Sequence, residues 1–239
     1  MDQREISGFY DDFAPQQVQT GANERLVSLY RRLRDLGLRR NSNVLELGCG
    51  VGVFTKLIAG TVTSGTIEAV DLSEKSIAIA RELLKGKSNV RFAASDVVHY
   101  PPKTEAFHFI TLMDVIEHIP LGDHPALFSR IASYASEETL ICINIPNPAY
   151  IEYVKKHHPA GLQIIDQPVH LQPLLEVLEG KALELIFFEK YSIWQREDYH
   201  FMVLRKERAF EPELRSASYS FAEKLGHKIR RTADRIRFR

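Results

Sequence analysis

Two cysteines, Cys49 and Cys142, are all that the 239 residues contain. They stand far apart and without ligand spacing, which excludes a disulfide framework and a zinc cluster. Long apolar runs are missing as well. No stretch approaches the roughly 20 apolar residues that span a bilayer. The opening, MDQREISGFYDDF, is polar and acidic and lacks the basic flank and apolar run of a signal peptide. No internal repeat or low-complexity tract is present. These absences lead to the expectation of a soluble cytoplasmic protein.

Net charge is lacking too, with 31 Lys and Arg against 31 Asp and Glu. The balance hides an asymmetry. From Arg205 to Arg239 there are eleven basic and five acidic residues, which leaves twenty against twenty-six in the rest. An acidic main body repels phosphate backbones, so no DNA partner is expected. What is present fits a globular chain: 44% hydrophobic and 26% charged residues, close to ordinary averages. The length suffices for one α/β domain with a covered sheet.

Residues 22–38 place Leu26, Leu29, Leu33 and Leu36 at helical spacing among Arg and Asp, predicting an amphipathic helix. Short apolar runs at 43–47, 66–70, 89–93, 107–112 and 139–145 read as strands. Between them 51–59, 73–84 and 125–134 read as helices. Strands separated by helices of about ten residues predict βαβ units and a mostly parallel sheet. After a helix at 171–178, strands at 183–188 and 199–204 have no helix between them, which predicts a hairpin and a reversed last strand. Residues 146–169 hold four prolines, His157 and His158 without periodicity. They are expected to form a functional loop or lid.

The run Glu46-Leu-Gly48-Cys-Gly50-Val-Gly52 ends the first strand and opens a helix. Glycines there let the backbone approach a ligand, and the helix start offers free N–H groups. Dinucleotide oxidoreductases use a related loop, but their third glycine would fall at Val53. Glu46 would also repel a pyrophosphate, whereas it welcomes a cationic amino-acid moiety. Asp71 ends the second strand, where a carboxylate receives ribose hydroxyls. Asp96 follows the third, in Ala94-Ser-Asp96-Val97, placed for an adenine amino group.

With ELGCGVG, AVDLS and ASDV in succession, the chain resembles the class I S-adenosylmethionine-dependent methyltransferases over residues 40–205. The likeness extends to their type 11/12 and ubiquinone-pathway O-methyltransferase groups. It implies a Rossmann-like, seven-stranded, mostly parallel sheet with an antiparallel last strand and helices on both faces. It also implies S-adenosyl-L-methionine as cofactor. Glu46, Gly48, Gly50 and Gly52 would line the methionine site, Asp71 and Leu72 the ribose site, Asp96 and Val97 the adenine site. Tyr10 and Phe13 resemble an aromatic amino-terminal segment that closes over the cofactor.

Asp114-Val-Ile-Glu117-His118 follows the fourth strand, at the crevice where open α/β sheets bind ligands. Methyl transfer mainly needs alignment, and a hydroxyl acceptor gains from a base near neutral pKa. His118 is the candidate base, and His170, after the irregular segment, is expected to face it. The D-x-x-E-H run with a later histidine also resembles small-RNA 2′-O-methyltransferases, in which E-x-x-E-H and a distant histidine hold a divalent metal. Here the first acid is Asp114 and no fourth ligand is identifiable. A metal on Glu117, His118 and His170 is left open and none is assigned. Asn144-Ile-Pro146-Asn147-Pro148 departs from the N-P-P-Y/F tetrapeptide of base N-methyltransferases, which disfavours that activity.

The expected organisation is an amino-terminal helical cap over the cofactor (1–39), a catalytic domain (40–206) and a basic amphipathic helix (207–239). That last helix suits packing in a homodimer or peripheral contact with an anionic membrane. The expected function is O-methylation of a small-molecule or glycan acceptor. The alternatives are a non-catalytic S-adenosylmethionine-binding regulator and an RNA 2′-O-methyltransferase.

Overall fold

Val44-Leu-Glu-Leu47 is too short for a helix, and all four residues are buried, as a strand covered on both faces requires. It is β1 (Val44–Leu47) of a seven-stranded sheet. The computed structural model describes residues 3–159 and 162–209. Helices α1 (Gln3–Thr20) and α2 (Glu24–Asp35) precede the sheet. Then follow α3 (Val53–Thr61), β2 (Ile67–Asp71), α4 (Glu74–Leu83), β3 (Val90–Ala94) and β4 (Phe109–Met113). Two 3-10 turns, Ile116–His118 and Leu121–Asp123, lead into α5 (His124–Tyr134) and β5 (Leu140–Pro146). The chain continues through α6 (Pro148–His157), α7 (Leu171–Leu178), β6 (Leu183–Tyr191) and β7 (Tyr199–Lys206).

The sheet order is β3-β2-β1-β4-β5-β7-β6. β1 pairs in parallel with β2 and β4, and β4 with β5. β7 runs antiparallel to both β5 and β6, so the reversed last strand expected from the missing crossover helix is present. The order reverses direction between β1 and β4, and the crevice opens at the carboxyl ends of these two strands. Alternation along β1 divides the core. Leu45 and Leu47 face Phe128 and Ile131 of α5 and Leu174 of α7. Val44 faces Leu29 and Leu33 of α2 and Phe54 and Ile58 of α3. Helices therefore cover both faces. The described residues up to Glu207 form one compact unit.

Local signals explain the helix starts. Asn23 caps α2 by accepting from Leu26 N at 3.0 Å, and Ser73 caps α4 by accepting from Ser76 N at 2.9 Å. The segment 146–169 departs from the expectation of an irregular loop, because α6 occupies much of it. Its start carries a readable signal: Asn147 accepts from Ala149 N at 3.0 Å, and Pro148 takes the first helical position, where its missing N–H costs nothing. The basic stretch expected as a carboxyl-terminal helix lies outside the described residues from 210 onward. Among the described residues no helix is long and apolar enough to cross a membrane.

The turn before β2 is tight. A Cβ on Gly65 would lie 1.9 Å from the Ser42 carbonyl oxygen, whereas one on Gly60 in α3 would meet nothing within 4 Å. Gly65→Ala is therefore expected to cost about 1–3 kcal/mol of stability through overpacking. Gly60→Ala should gain up to about 1 kcal/mol from reduced unfolded-state freedom. Urea unfolding of both variants checks the pair.

Candidate active site

At the carboxyl end of β1 the chain leaves the sheet through the glycine loop. Gly48 N and Cys49 N both donate to the Val70 carbonyl, at 2.8 and 2.9 Å, which holds the loop against β2. Gly48 has φ +77°, and a Cβ there would stand 2.3 Å from a methyl of Val115. Gly50 has φ +52°, and its Cβ would crowd the Gln17 side chain of α1 at 2.9 Å. Both positions exclude other residues by conformation and by contact. The expectation that Gly52 lines the ligand site needs correction. A Cβ there would press on Ala80 of α4 at 2.9 Å, and Gly52 is absent from the cavity wall, so it serves helix packing.

The cavity has a volume of about 350 Å³. It brings together Tyr10, Glu46, Gly48, Gly50, Asp71, Leu72, Asp96, Val97 and His118 of the sequence-selected residues. Glu46 is 3% exposed, and its Oε2 has no hydrogen-bond partner. Burial pushes its carboxyl up to about 8, with the neighbouring Asp71 charge adding to the effect. Asp71 accepts from Gly50 N at 2.8 Å on one oxygen and from Ser73 N at 2.9 Å on the other. Burial still raises its pKa, against those two bonds. Asp96 accepts from Val98 N at 2.9 Å, and its second oxygen lies 2.9 Å from His99 Nδ1. The Tyr10 hydroxyl is buried without a partner, and its ring centre lies 6.1 Å from that of His118. Its pKa is raised by burial first and by Glu117, Asp166 and Asp71 next. The Phe13 side chain lies outside the described residues.

The other wall starts at Asp114, which directly follows β4 and has φ +58°. Asn144 of β5 donates to its carboxylate at 2.6 Å, and Tyr191 donates to Asn144 at 2.7 Å. Arg25 of α2 forms an ion pair with the same carboxylate. His118 follows in the first 3-10 turn, with its side chain 13% exposed. Its Nδ1 donates to the Ile165 carbonyl at 2.5 Å. Burial lowers its pKa, although the Ile165 carbonyl and Asp166 act in the opposite sense. A ring that donates from Nδ1 to this carbonyl leaves Nε2 as the nitrogen that can accept a proton.

His170 is not in this site, contrary to the expectation that it faces His118. It stands before α7 with its side chain half exposed, and Nε2 meets Glu152 of α6 at 3.1 Å. Glu117, His118 and His170 therefore do not converge. Among the described residues no group of three or more His, Cys, Asp or Glu is placed to hold a metal ion.

Sequence reasoning missed Arg25, the one Lys or Arg among the described residues on the cavity wall, and Gln163. Arg25 read as a solvated charge on an amphipathic helix, and only its partner Asp114 identifies it. Glu117, 1% exposed and without a partner on either oxygen, lies behind the wall with its carboxyl pushed by burial to about 8.

A strand-end glycine loop, successive strand-end carboxylates and a reversed seventh strand define a class I methyltransferase fold. The family model described as Methyltransferase domain matches residues 18–199, and the chain belongs to that family. It is 27% identical over 136 residues to trans-aconitate 2-methyltransferase of Variovorax paradoxus, covering 57% of this chain and 51% of that protein. It is 31% identical over 94 residues to malonyl-[acyl-carrier protein] O-methyltransferase 1 of Ilyobacter polytropus, covering 39% and 32%. The chain thus spans between about a third and a half of these curated relatives. Among solved structures, magnesium protoporphyrin IX methyltransferase of Synechocystis PCC 6803 aligns with a TM-score of 0.66 at 17% identity, covering 86% of this chain and all of that one. The N-methyltransferase NodS of Bradyrhizobium japonicum WM9 aligns with a TM-score of 0.61 at 17% identity, covering 78% and 89%. These likenesses show the fold.

A carboxyl whose folded pKa lies above its ordinary value of 4.5 binds more protons when folded. Glu46 and Glu117 therefore withdraw stability as pH rises from about 4.5 through about 8. Glu46→Gln is expected to make the ligand-free protein more resistant to urea at pH 8.5 than the wild type, with little difference at pH 5. Urea midpoints at the two pH values measure this. An equal effect at both would show that Glu46 does not titrate in this way.

Proposed function

We propose that this chain transfers a methyl group from S-adenosylmethionine to a hydroxyl of an uncharged small-molecule or saccharide acceptor. The observation that carries the reading is the buried, partnerless oxygen of Glu46 on the wall of a cavity that also holds the glycine loop, Asp71 and His118. A buried carboxyl left so is costly, and a ligand ammonium at that oxygen offsets the cost. The cofactor's amino-acid part would lie against Glu46, Gly48 and Gly50, its ribose against Asp71 and Leu72, and its adenine against Asp96 and Val97. Tyr10 and Gln17 of α1 line the same cavity and would help exclude water. When bound, the cofactor supplies an electrophilic methyl on a positively charged sulfur.

The rest is work for the protein's own residues. His118, neutral and buried, is the group that takes the hydroxyl proton. Asp71 and Asp96 give the cavity wall an acidic balance, since among the described residues that line it the one Lys or Arg, Arg25, is paired with Asp114. Such a field favours the cationic cofactor and disfavours an anionic acceptor.

Asp71→Ala should weaken S-adenosylhomocysteine binding by about 1.5–3 kcal/mol, as a charge-assisted contact is lost and Gly50 N is released. Calorimetric titration checks this, and wild-type affinity in the folded variant would sink the cofactor assignment. His118→Ala should keep that affinity while slowing transfer of labelled methyl to neutral hydroxylated acceptors by roughly 10²–10⁴-fold. His170→Ala should alter neither. Strong cofactor binding with no transfer to any acceptor would favour a binding module without catalysis.

A further inference from the structure

The segment after α6 is stitched to the turn that carries His118. Gln167 N donates to the Glu117 carbonyl at 3.0 Å, and Gln167 Nε2 donates to the Ile119 carbonyl at 3.1 Å. Between these ties, Ile165 offers its carbonyl to His118 Nδ1 at 2.5 Å, and Asp166 Oδ1 lies 3.2 Å from the same nitrogen. The other oxygen of Asp166 accepts from Gln163 N at 2.7 Å, which fixes the carboxylate within its own turn. Its side chain is 10% exposed. A carboxylate that only closed a turn would need the Gln163 bond alone. Here the second oxygen is brought to a buried imidazole from a part of the chain 48 residues away.

We propose that Asp166 is a positioning residue for His118: with the Ile165 carbonyl it keeps the proton on Nδ1 and balances the charge of the imidazolium formed during transfer. This leaves Nε2 as the ring nitrogen free to take a proton. The inference rests on the reading of His118 as the acceptor-side base. In the step it serves, the acceptor hydroxyl gives its proton to Nε2 and the oxygen lone pair forms the bond to the methyl carbon. The carbon–sulfur bond breaks with its electron pair passing to sulfur. The proton then leaves Nε2 for solvent, and Asp166 itself takes none, as in other carboxylate–imidazole pairs. The charged and titratable groups around the ring are Asp166, Glu117 with Oε1 at 3.9 Å from Nε2, Arg25 and Tyr10. Asp166 is the carboxylate on the Nδ1 side, so its charge favours the imidazolium without competing for the reacting nitrogen.

The test uses the full ¹⁵N-labelled chain with S-adenosylhomocysteine and two-bond proton–nitrogen spectra of the histidine rings, with His118→Gln supplying the assignment. The neutral ring of the wild type should carry its proton on Nδ1. In Asp166→Asn, which keeps a turn-forming oxygen, the His118 titration should move to lower pH by roughly one pH unit, with cofactor-product affinity unchanged. Asp166→Glu should restore part of the shift. A wild-type proton on Nε2, or an unchanged titration in Asp166→Asn, overturns the proposal. If Asp166→Asn does not fold, the wild-type tautomer and Asp166→Glu decide. Failure of the wild type to bind S-adenosylhomocysteine would instead strike the functional reading, since the tautomer is read independently of it.

Discussion

The Asp71 carboxylate binds three pieces of the protein to one point. One oxygen takes the N–H of Gly50 and so holds the glycine loop in its left-handed path. The other takes the N–H of Ser73, whose own hydroxyl caps α4. That hydroxyl donates to Asp11 of α1 at 2.5 Å, so the amino-terminal helix is tied to the same junction. Loop, helix start and covering helix thus share one anchor at the end of β2. A backbone N–H buried without a partner costs about 1–3 kcal/mol, which is why the loop's shape follows this acid rather than its glycines alone.

The same cavity carries a cost that the rest of the fold offsets. Glu46 and Glu117 are buried carboxyls with unpartnered oxygens on opposite sides of the β1–β4 crevice. Burial disfavours the charged form of each. Their burden falls on two apolar layers, with Leu45 and Phe128 on one face and Leu29 and Ile58 on the other, all fully buried. Unfavourable groups kept at a ligand cavity are the expected signature of a site tuned for binding rather than for stability.

The two walls are built from different kinds of element. The Glu46–Asp71 wall is made of strand ends and a loop held by Val70 and Asp71. The His118 wall is made of a 3-10 turn and a segment held by Gln167 and Ile165. Hydrogen bonds between two loops are the part of a fold most open to change without disturbing the sheet.

The sheet, its reversed strand and the glycine-loop wall of the cavity were legible in the sequence, because each rests on local pattern. Apolar runs of four to seven residues, helical spacing between them and a missing crossover near residue 190 each need only neighbouring residues. Glu46, Asp71 and Asp96 share one cavity wall because successive strands of a parallel sheet deliver their ends to one edge. His118 joins them because it follows the fourth strand there. Tertiary structure alone decided the rest. His170 turns to Glu152, Gly52 packs on Ala80, Arg25 reaches Asp114, and Asp166 meets His118, each across a gap in the chain that no periodicity spans. Local pattern sets which residues lie on which face of an element. The partners that element meets are chosen by how loops of irregular length bring it to its neighbours, and that is a property of the packed whole.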